Sequence, residues 1–434
     1  MRVYFRSVQR IGEVPAATVG GRVFVANHHN ALVDPILIVT DAACAISPVA
    51  KSTLWKIPGF RWLLDIAGAV PIVRRQDAPD KAADSNDAAF AKIAQHLAGG
   101  GNILIFPEGI SHADPTLAPL RSGAARMLLA AHALDPAALL SFQAVALEFD
   151  ERDIFRSRTA LLWGPPRPLA GPAAEAAPAQ SDVSAAANAI TAQMAQDLRG
   201  LIIESASRDD RLLIGRVAQL LNNNAHDDVG VGQVDTAQPA TLGDELATAR
   251  TVAAVGHELQ AMSPAHIDAV RVAVRTYFTA LSAAELRDID VARPSQRRPF
   301  AELLRLAFAA PLALLGLVLY ALPYPLPRLV ARRADDADMV STLKLGVALV
   351  MYPLYAGLLV GLALWLIPSP WGVAAAIAVL VSPFVTVWWL DRWQQRPGRL
   401  ATRSSETRTH LVDLRATAMQ AVEVAHAYSR HQGR

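Results

Sequence analysis

Two histidines and an aspartate lie close together in Asn27-His28-His29-Asn30-Ala31-Leu32-Val33-Asp34-Pro35. His29 and Asp34 are five positions apart, which suits a turn better than one face of a helix. Such a turn could let the Asp34 carboxylate accept from one imidazole nitrogen of His29. The other nitrogen would then be a fixed acceptor for the proton of a hydroxyl. Asp34 also reads as a helix N-cap with Pro35 at the first helical position, and a cap would hold the carboxylate still. A second group is Phe106-Pro107-Glu108-Gly109-Ile110-Ser111-His112. Gly109 permits close backbone approach, and Glu108 has no obvious core partner. Downstream, Arg121-Ser122-Gly123 opens a helix, and a cation at a helix N-terminus suits a phosphate. A third group, Ala69 to Arg75, ends in Arg74 and Arg75. These are either a solvated strand end or an anion clamp. In a fourth, Lys51 to Trp62, basic and bulky aromatic residues interleave. That suits contact with anionic lipid headgroups, or an ordinary surface helix edge.

Strands must position these groups. Runs rich in β-formers occur at 22–26, 69–73, 102–106, 142–149 and 159–163. Helical patterns lie between them, at 82–97 and 120–133. The alternation predicts an α/β layered domain over residues 1–168. Both the histidine cluster and the glutamate cluster directly follow a strand, where α/β proteins place reactive groups. Residues 169–183 are rich in Ala and Pro and read as a linker. Residues 184–300 read as helical, with a polar break at 222–241 and a helix start at Ser263-Pro264. A last amphipathic helix lies within 394–434, with Leu411, Leu414, Ala418 and Val422 on one face.

The 434 residues carry 41 Lys+Arg and 39 Asp+Glu. That balance is too even for a dedicated nucleic-acid binder. Apolar residues make up 52% and charged residues 18%, with a mean hydropathy of +0.25. These values exclude a disordered chain and point to a part that lives in lipid. Leu306–Pro327 is 22 residues without a charge, and Leu345–Leu390 is 46. A span takes about 20 apolar residues. The second run therefore fits two spans broken at Pro368-Ser369-Pro370. In the first, Pro323, Pro325 and Pro327 leave a short or re-entrant span. A membrane domain of two or three spans is expected over 301–393. Trp371, Trp388 and Trp389 fall where interfacial aromatics belong. The lone Cys44 excludes an internal disulfide framework. No apolar core of signal-peptide length follows MRVYFRSVQR, so the N-terminal part is expected not to be exported.

The order of these blocks is specific. His-x-x-x-x-Asp, a strand ending in Arg, Phe-Pro-Glu-Gly and a further short strand resemble the glycerolipid acyltransferase superfamily. NHHNALVDP, FPEGISHADPTLAPLRSG and ALEFDERDIFRSR look most like its membrane-bound branch acting on glycerol 3-phosphate or dihydroxyacetone phosphate. Ala337 to Lys344, ahead of a span, also resembles that branch. Gln143 is a departure, since the family's fourth block usually has a proline there. The resemblance implies an acyltransferase-like layered domain followed by a helical region and C-terminal transmembrane helices. It implies His29 as general base and Asp34 as its orienting partner. Arg74 or Arg75, with Arg121, would hold the acceptor phosphate. Glu108, Gly109 and Ser111 would shape the acceptor pocket. The donor would be an acyl thioester, acyl-CoA or acyl carrier protein, with no metal and no other cofactor. The expected partners are membrane lipids, the thioester and a phosphorylated glycerol, and the catalytic domain is expected on the cytoplasmic face. A lysophosphatidate or other lysophospholipid acyltransferase uses the same chemistry. A metal-dependent membrane hydrolase built on His28, His29 and His112, and a non-catalytic scaffold, are further alternatives.

Overall fold

The computed structural model describes residues 3–15, 20–56, 60–73, 82–112, 114–151, 154–169, 180–224, 241–292, 300–333, 339–394 and 399–432. The chain divides into two units. The first comprises Met1–Glu204 together with Asp335–Thr342; the second holds Ser205–Ala334 and Leu343–Arg434.

The first unit is built on eight strands: β1 Ser7–Gly12, β2 Gly21–Ala26, β3 Ser47–Lys51, β4 Val70–Ile72, β5 Asn102–Ile105, β6 Leu140–Phe149, β7 Arg158–Trp163 and β8 Arg167–Pro168. They form one sheet in the order β1-β7-β6-β2-β5-β3-β4, with β8 also paired to β6. From β6 to β4 every neighbouring pair is parallel, while β7 and β8 run antiparallel to β6. All four residues of β5 and five of six in β2 are buried. This is why both strands read as continuous apolar runs, as a parallel sheet covered on both faces requires. Among the described residues, the helices of this unit are α1 Val33–Asp41, α2 Phe60–Ile66, α3 Ala82–Ala98, α4 Gly123–Leu134 and α5 Gln180–Leu201. One face is sealed by α3, α4 and α5. Ile93, Leu97, Met127, Leu128, Met194 and Leu198 meet Val23, Val25, Ile103 and Phe142 there. Thus α5, which falls in the stretch read as the helical region, packs on the sheet through its 187-190-194-198 stripe.

All five predicted strands are present, and β1, β3 and the two-residue β8 are additional. β1 has only two apolar side chains, Val8 and Ile11, and β3 contains Pro48. Gln143 is fully buried. Its amide donates to the Glu13 and Gly164 carbonyls, and its oxygen accepts from Arg22 Nη1 at 3.0 Å. It thus makes side-chain bonds that a proline at this position could not.

The second unit is helical: α6 Arg208–Asn224, α7 Leu242–Met262, α8 Pro264–Ala283, α9 Asp288–Ala292, α10 Phe300–Tyr320, α11 Leu326–Ala331, α12 Met339–Leu366, α13 Trp371–Gln394 and α14 Ser405–Gln432. The first turn of α12, through Thr342, belongs to the first unit. α6 to α9 and α14 share one core. Leu411, Ala418, Met419 and Val422 of α14 pack there with Val270, Val274, Tyr277 and Leu281 of α8. At its centre the buried Asp288 carboxylate accepts from Tyr277 Oη (2.7 Å), Arg415 Nε (2.9 Å) and Asn223 Nδ2 (2.7 Å). Burial, and then the Asp288 charge, push the Tyr277 phenol's pKa far up.

Among the described residues, three helices are long and apolar enough to cross a membrane: 300–320, 340–366 and 371–394. Helix α10 ends at Tyr320, ahead of Pro323, as the proline run requires. α10 and α13 pack closely because Gly316 has no side chain. A Cβ there would fall 2.3 Å from Thr386 Oγ1 and 2.7 Å from the Ser382 carbonyl. Trp389 donates from Nε1 to the Leu306 carbonyl at 3.0 Å, so this tryptophan ties α13 to α10 in addition to any interfacial role.

Candidate active site

Parallel strands place their carboxyl ends along one edge of the sheet, and both reactive clusters leave from that edge. Asn27–Leu32 follows β2, and 106–122 follows β5. The loops are stitched together by the His112 amide donating to the His28 carbonyl at 3.1 Å.

Asp34 is wholly buried in the first turn of α1. Its Oδ2 accepts from the backbone N–H of His29 (2.6 Å) and of Asn30 (2.7 Å), and from His28 Nδ1 (3.0 Å). Two expectations are corrected here. The imidazole on Asp34 is that of His28, not His29. The N-cap position belongs to Leu32, with Asp34 inside the helix. The cause is the same for both: the carboxylate folds back onto the amides upstream of the helix, and this brings His28 to it. Histidine 28 is 6% exposed and stacks on Phe106, centroids 4.0 Å apart.

His29 is half-buried. Its Nδ1 lies 3.0 Å from the His112 carbonyl, so Nδ1 carries the proton, and Nε2 faces the Asn27 amide at 2.9 Å as an acceptor. Asn27 is itself fixed. It accepts from the Leu147 N–H at 2.8 Å and donates to the Leu147 carbonyl at 3.1 Å. Both imidazoles thus donate from Nδ1, His28 to the Asp34 carboxylate and His29 to the His112 carbonyl.

Glu108 is 3% exposed. Oε1 accepts from the His28 N–H (2.9 Å); Oε2 accepts from the Ala118 N–H (2.8 Å) and from His112 Nε2. The reading that it lacked a core partner is therefore wrong: it binds the two loops together. His112 Nδ1 accepts from the Asp114 N–H at 3.2 Å, which leaves its proton on Nε2, facing Glu108.

Gly109 has φ +74°, and a Cβ there would lie 2.9 Å from Arg121 Nε. The missing side chain lets the exposed Arg121 lie over the loop, and the Arg121 N–H donates to the Pro107 carbonyl at 2.8 Å. Ser111 is half-buried in the same loop. The structure thus brings His29, Asp34, Glu108, Gly109, Ser111 and Arg121 to one sheet edge. Arg74 and Arg75 lie outside the described residues. β4, which precedes them, runs parallel to β3 and ends at the same edge. Sequence reasoning gave no role to Asn27, and gave the His112 ring one only in the metal-dependent hydrolase alternative. The signal for Asn27 was its place one residue past a buried strand.

Residues 7–141 match the sequence model of the Acyltransferase family. A stretch of 81 residues is 40% identical to glycerol-3-phosphate O-acyltransferase 2 of Saccharomyces cerevisiae. It makes up 19% of this chain and 11% of the yeast protein, so only about a tenth of that relative is spanned. Among solved structures, the 1-acyl-sn-glycerophosphate (LPA) acyltransferase of Thermotoga maritima aligns with 15% identity and a TM-score of 0.30, over 45% of this chain and 73% of its own. Residues 7–141 thus match an acyltransferase domain, in line with the resemblance that the residue blocks carry to glycerolipid acyltransferases.

Proposed function

We propose that this chain is a membrane-bound O-acyltransferase. It moves a fatty acyl group from an acyl thioester, acyl-CoA or acyl carrier protein, to the sn-1 hydroxyl of glycerol 3-phosphate or dihydroxyacetone phosphate. The observation that carries this reading is the loop pair itself: in an acyltransferase domain, His29 keeps Nε2 as an acceptor, on a loop tied through the His112 carbonyl to the Glu108-Gly109 loop over which Arg121 lies. The yeast relative's name supplies the acceptor. The three apolar helices support a membrane setting for a lipid product. The catalytic unit would lie on the cytoplasmic face, in contact with lipid, water-soluble acceptor and thioester.

In this mechanism the acceptor hydroxyl displaces the Asn27 amide from His29 Nε2. Nε2 takes the hydroxyl proton as the oxygen bonds to the thioester carbonyl carbon. The tetrahedral oxyanion is held by backbone N–H donors. Its collapse breaks the C–S bond, and the imidazolium returns the proton to the leaving thiolate. Arg121, with Arg74 or Arg75, holds the acceptor phosphate. Asp34 acts on His29 through its backbone N–H, so it fixes the loop rather than the ring. No acyl-enzyme and no metal take part. A positioned base of this kind contributes about 10²–10⁴ in rate.

The 3.0 Å contact of His28 with Asp34 favours a second reading, in which the His28–Asp34 pair is the base. Acyl transfer from labelled palmitoyl-CoA in membranes carrying the protein separates the two. Wild type, His29→Ala and His28→Ala are each offered glycerol 3-phosphate, dihydroxyacetone phosphate and lysophosphatidate. The expected result is product from a short phosphate acceptor, lost by at least 10²-fold in His29→Ala. Loss confined to His28→Ala moves the base to His28. Product from lysophosphatidate alone overturns the acceptor, and full activity in both variants overturns the mechanism.

A further inference from the structure

The loop that carries His28 and His29 has its backbone N–H groups held by side chains from three places. Glu108, after β5, takes the His28 N–H, and Asp34, in α1, takes those of His29 and Asn30. The Leu32 N–H is taken by Thr342 Oγ1 at 3.1 Å, across 310 positions of sequence. Leu32 is the N-cap residue of α1 and has no side-chain cap of its own. Thr342 supplies from a distance the acceptor that this helix start lacks. The contact is partly buried: Thr342 is 8% exposed, Ser341 beside it is fully buried, and Leu32 is half-buried. The turn that carries them belongs to the sheet unit, although the same helix continues as an apolar helix of spanning length.

We propose that Thr342 is a positioning residue for acyl transfer. It rests on the acyl-transfer reading of the His29 loop. By fixing the Leu32 amide it holds the carboxyl end of that loop, as Glu108 holds the amino end, so that Asp34 and the two imidazoles keep their register. An isosteric valine at position 342 keeps the packing and removes only the acceptor, while a serine keeps the acceptor.

The test compares Thr342→Val, Thr342→Ser and wild type in the full chain, in membranes, with two readouts. One is kcat and KM for acyl transfer. The other is amide hydrogen exchange in the peptide covering residues 28–34. Loss of one net backbone hydrogen bond is expected to lower kcat about fivefold to tenfold in Thr342→Val and to speed exchange in that peptide. Thr342→Ser is expected to restore both. Faster exchange with unchanged kcat, or lower kcat with unchanged exchange, overturns the proposal, as does a serine variant as impaired as the valine one. Thr342→Ala serves the same comparison if the valine variant does not accumulate. His29→Ala is run beside them. If it retains full activity the base is not His29, and if His28→Ala retains full activity as well the acyl-transfer reading of this loop fails whatever Thr342 does; the exchange readout still reports the clamp.

Discussion

At the scale of single residues, the site depends on two buried carboxylates, each spent on backbone amides. Glu108 satisfies donors from two loops at once. Glu108→Gln replaces one acceptor oxygen with an amide that faces an N–H, leaving a buried donor unpaired. That costs about 1–3 kcal/mol. Glu108→Gln is therefore expected to lower the thermal midpoint and to cut acyl transfer at least tenfold. A variant unchanged in both would remove Glu108 from this role. Much of the site was legible at this scale. The spacing of His29, Asp34 and Glu108 and their places after strands located the cluster correctly. What was not legible is which histidine meets Asp34. Adjacent residues in a turn differ only in where the backbone points them, and that is decided by amides whose partners lie 80 positions away at Glu108. The His112 contribution was hidden for the same reason, since its carbonyl and its ring act on different partners.

At the scale of elements, apolar runs and their punctuation located five strands, the helices between them and the long apolar helices. The strands missed were those with little apolar content, β1, β3 and β8, which the sheet supports through its ladder bonds. The joint of the helical bundle was also invisible, because its members come from four separated helices. Asp288 of α9 gathers Asn223 of α6, Tyr277 of α8 and Arg415 of α14. Asp288→Ala strands a buried guanidinium, a phenol and an amide together, and breaking such a buried pair costs about 3–5 kcal/mol. The expected outcome is a large fall in the unfolding temperature of the detergent-solubilised chain. An unchanged midpoint would show that the network carries little of the bundle's stability.

At the scale of the whole molecule, composition alone separated a layered catalytic part from a lipid-soluble part, but it left the number of crossings at two or three. The packing of α14 on α8 decides the parity. Both helices share one core, which predicts that the chain before α10 and the chain after α13 lie on one side of the bilayer. An odd number of crossings would put them on opposite sides. Thr342, at the head of α12, packs in the unit that holds the sheet, and no apolar run of spanning length precedes α10. The expected topology is then that α10 dips in and returns, that α12 and α13 cross as a hairpin, and that their connection at Pro368-Ser369-Pro370 faces the far side. Single cysteines at Leu139, Ser369 and His410, in a Cys44→Ser background, test this in sealed vesicles with an impermeant maleimide. Positions 139 and 410 are expected to react from one side and 369 from the other. A tail that labels from the side opposite 139 would require an odd number of crossings and would pull α14 away from α8. With even parity, the whole water-exposed chain except one short connection answers to a single compartment, so the far side has almost nothing of this protein to recognise.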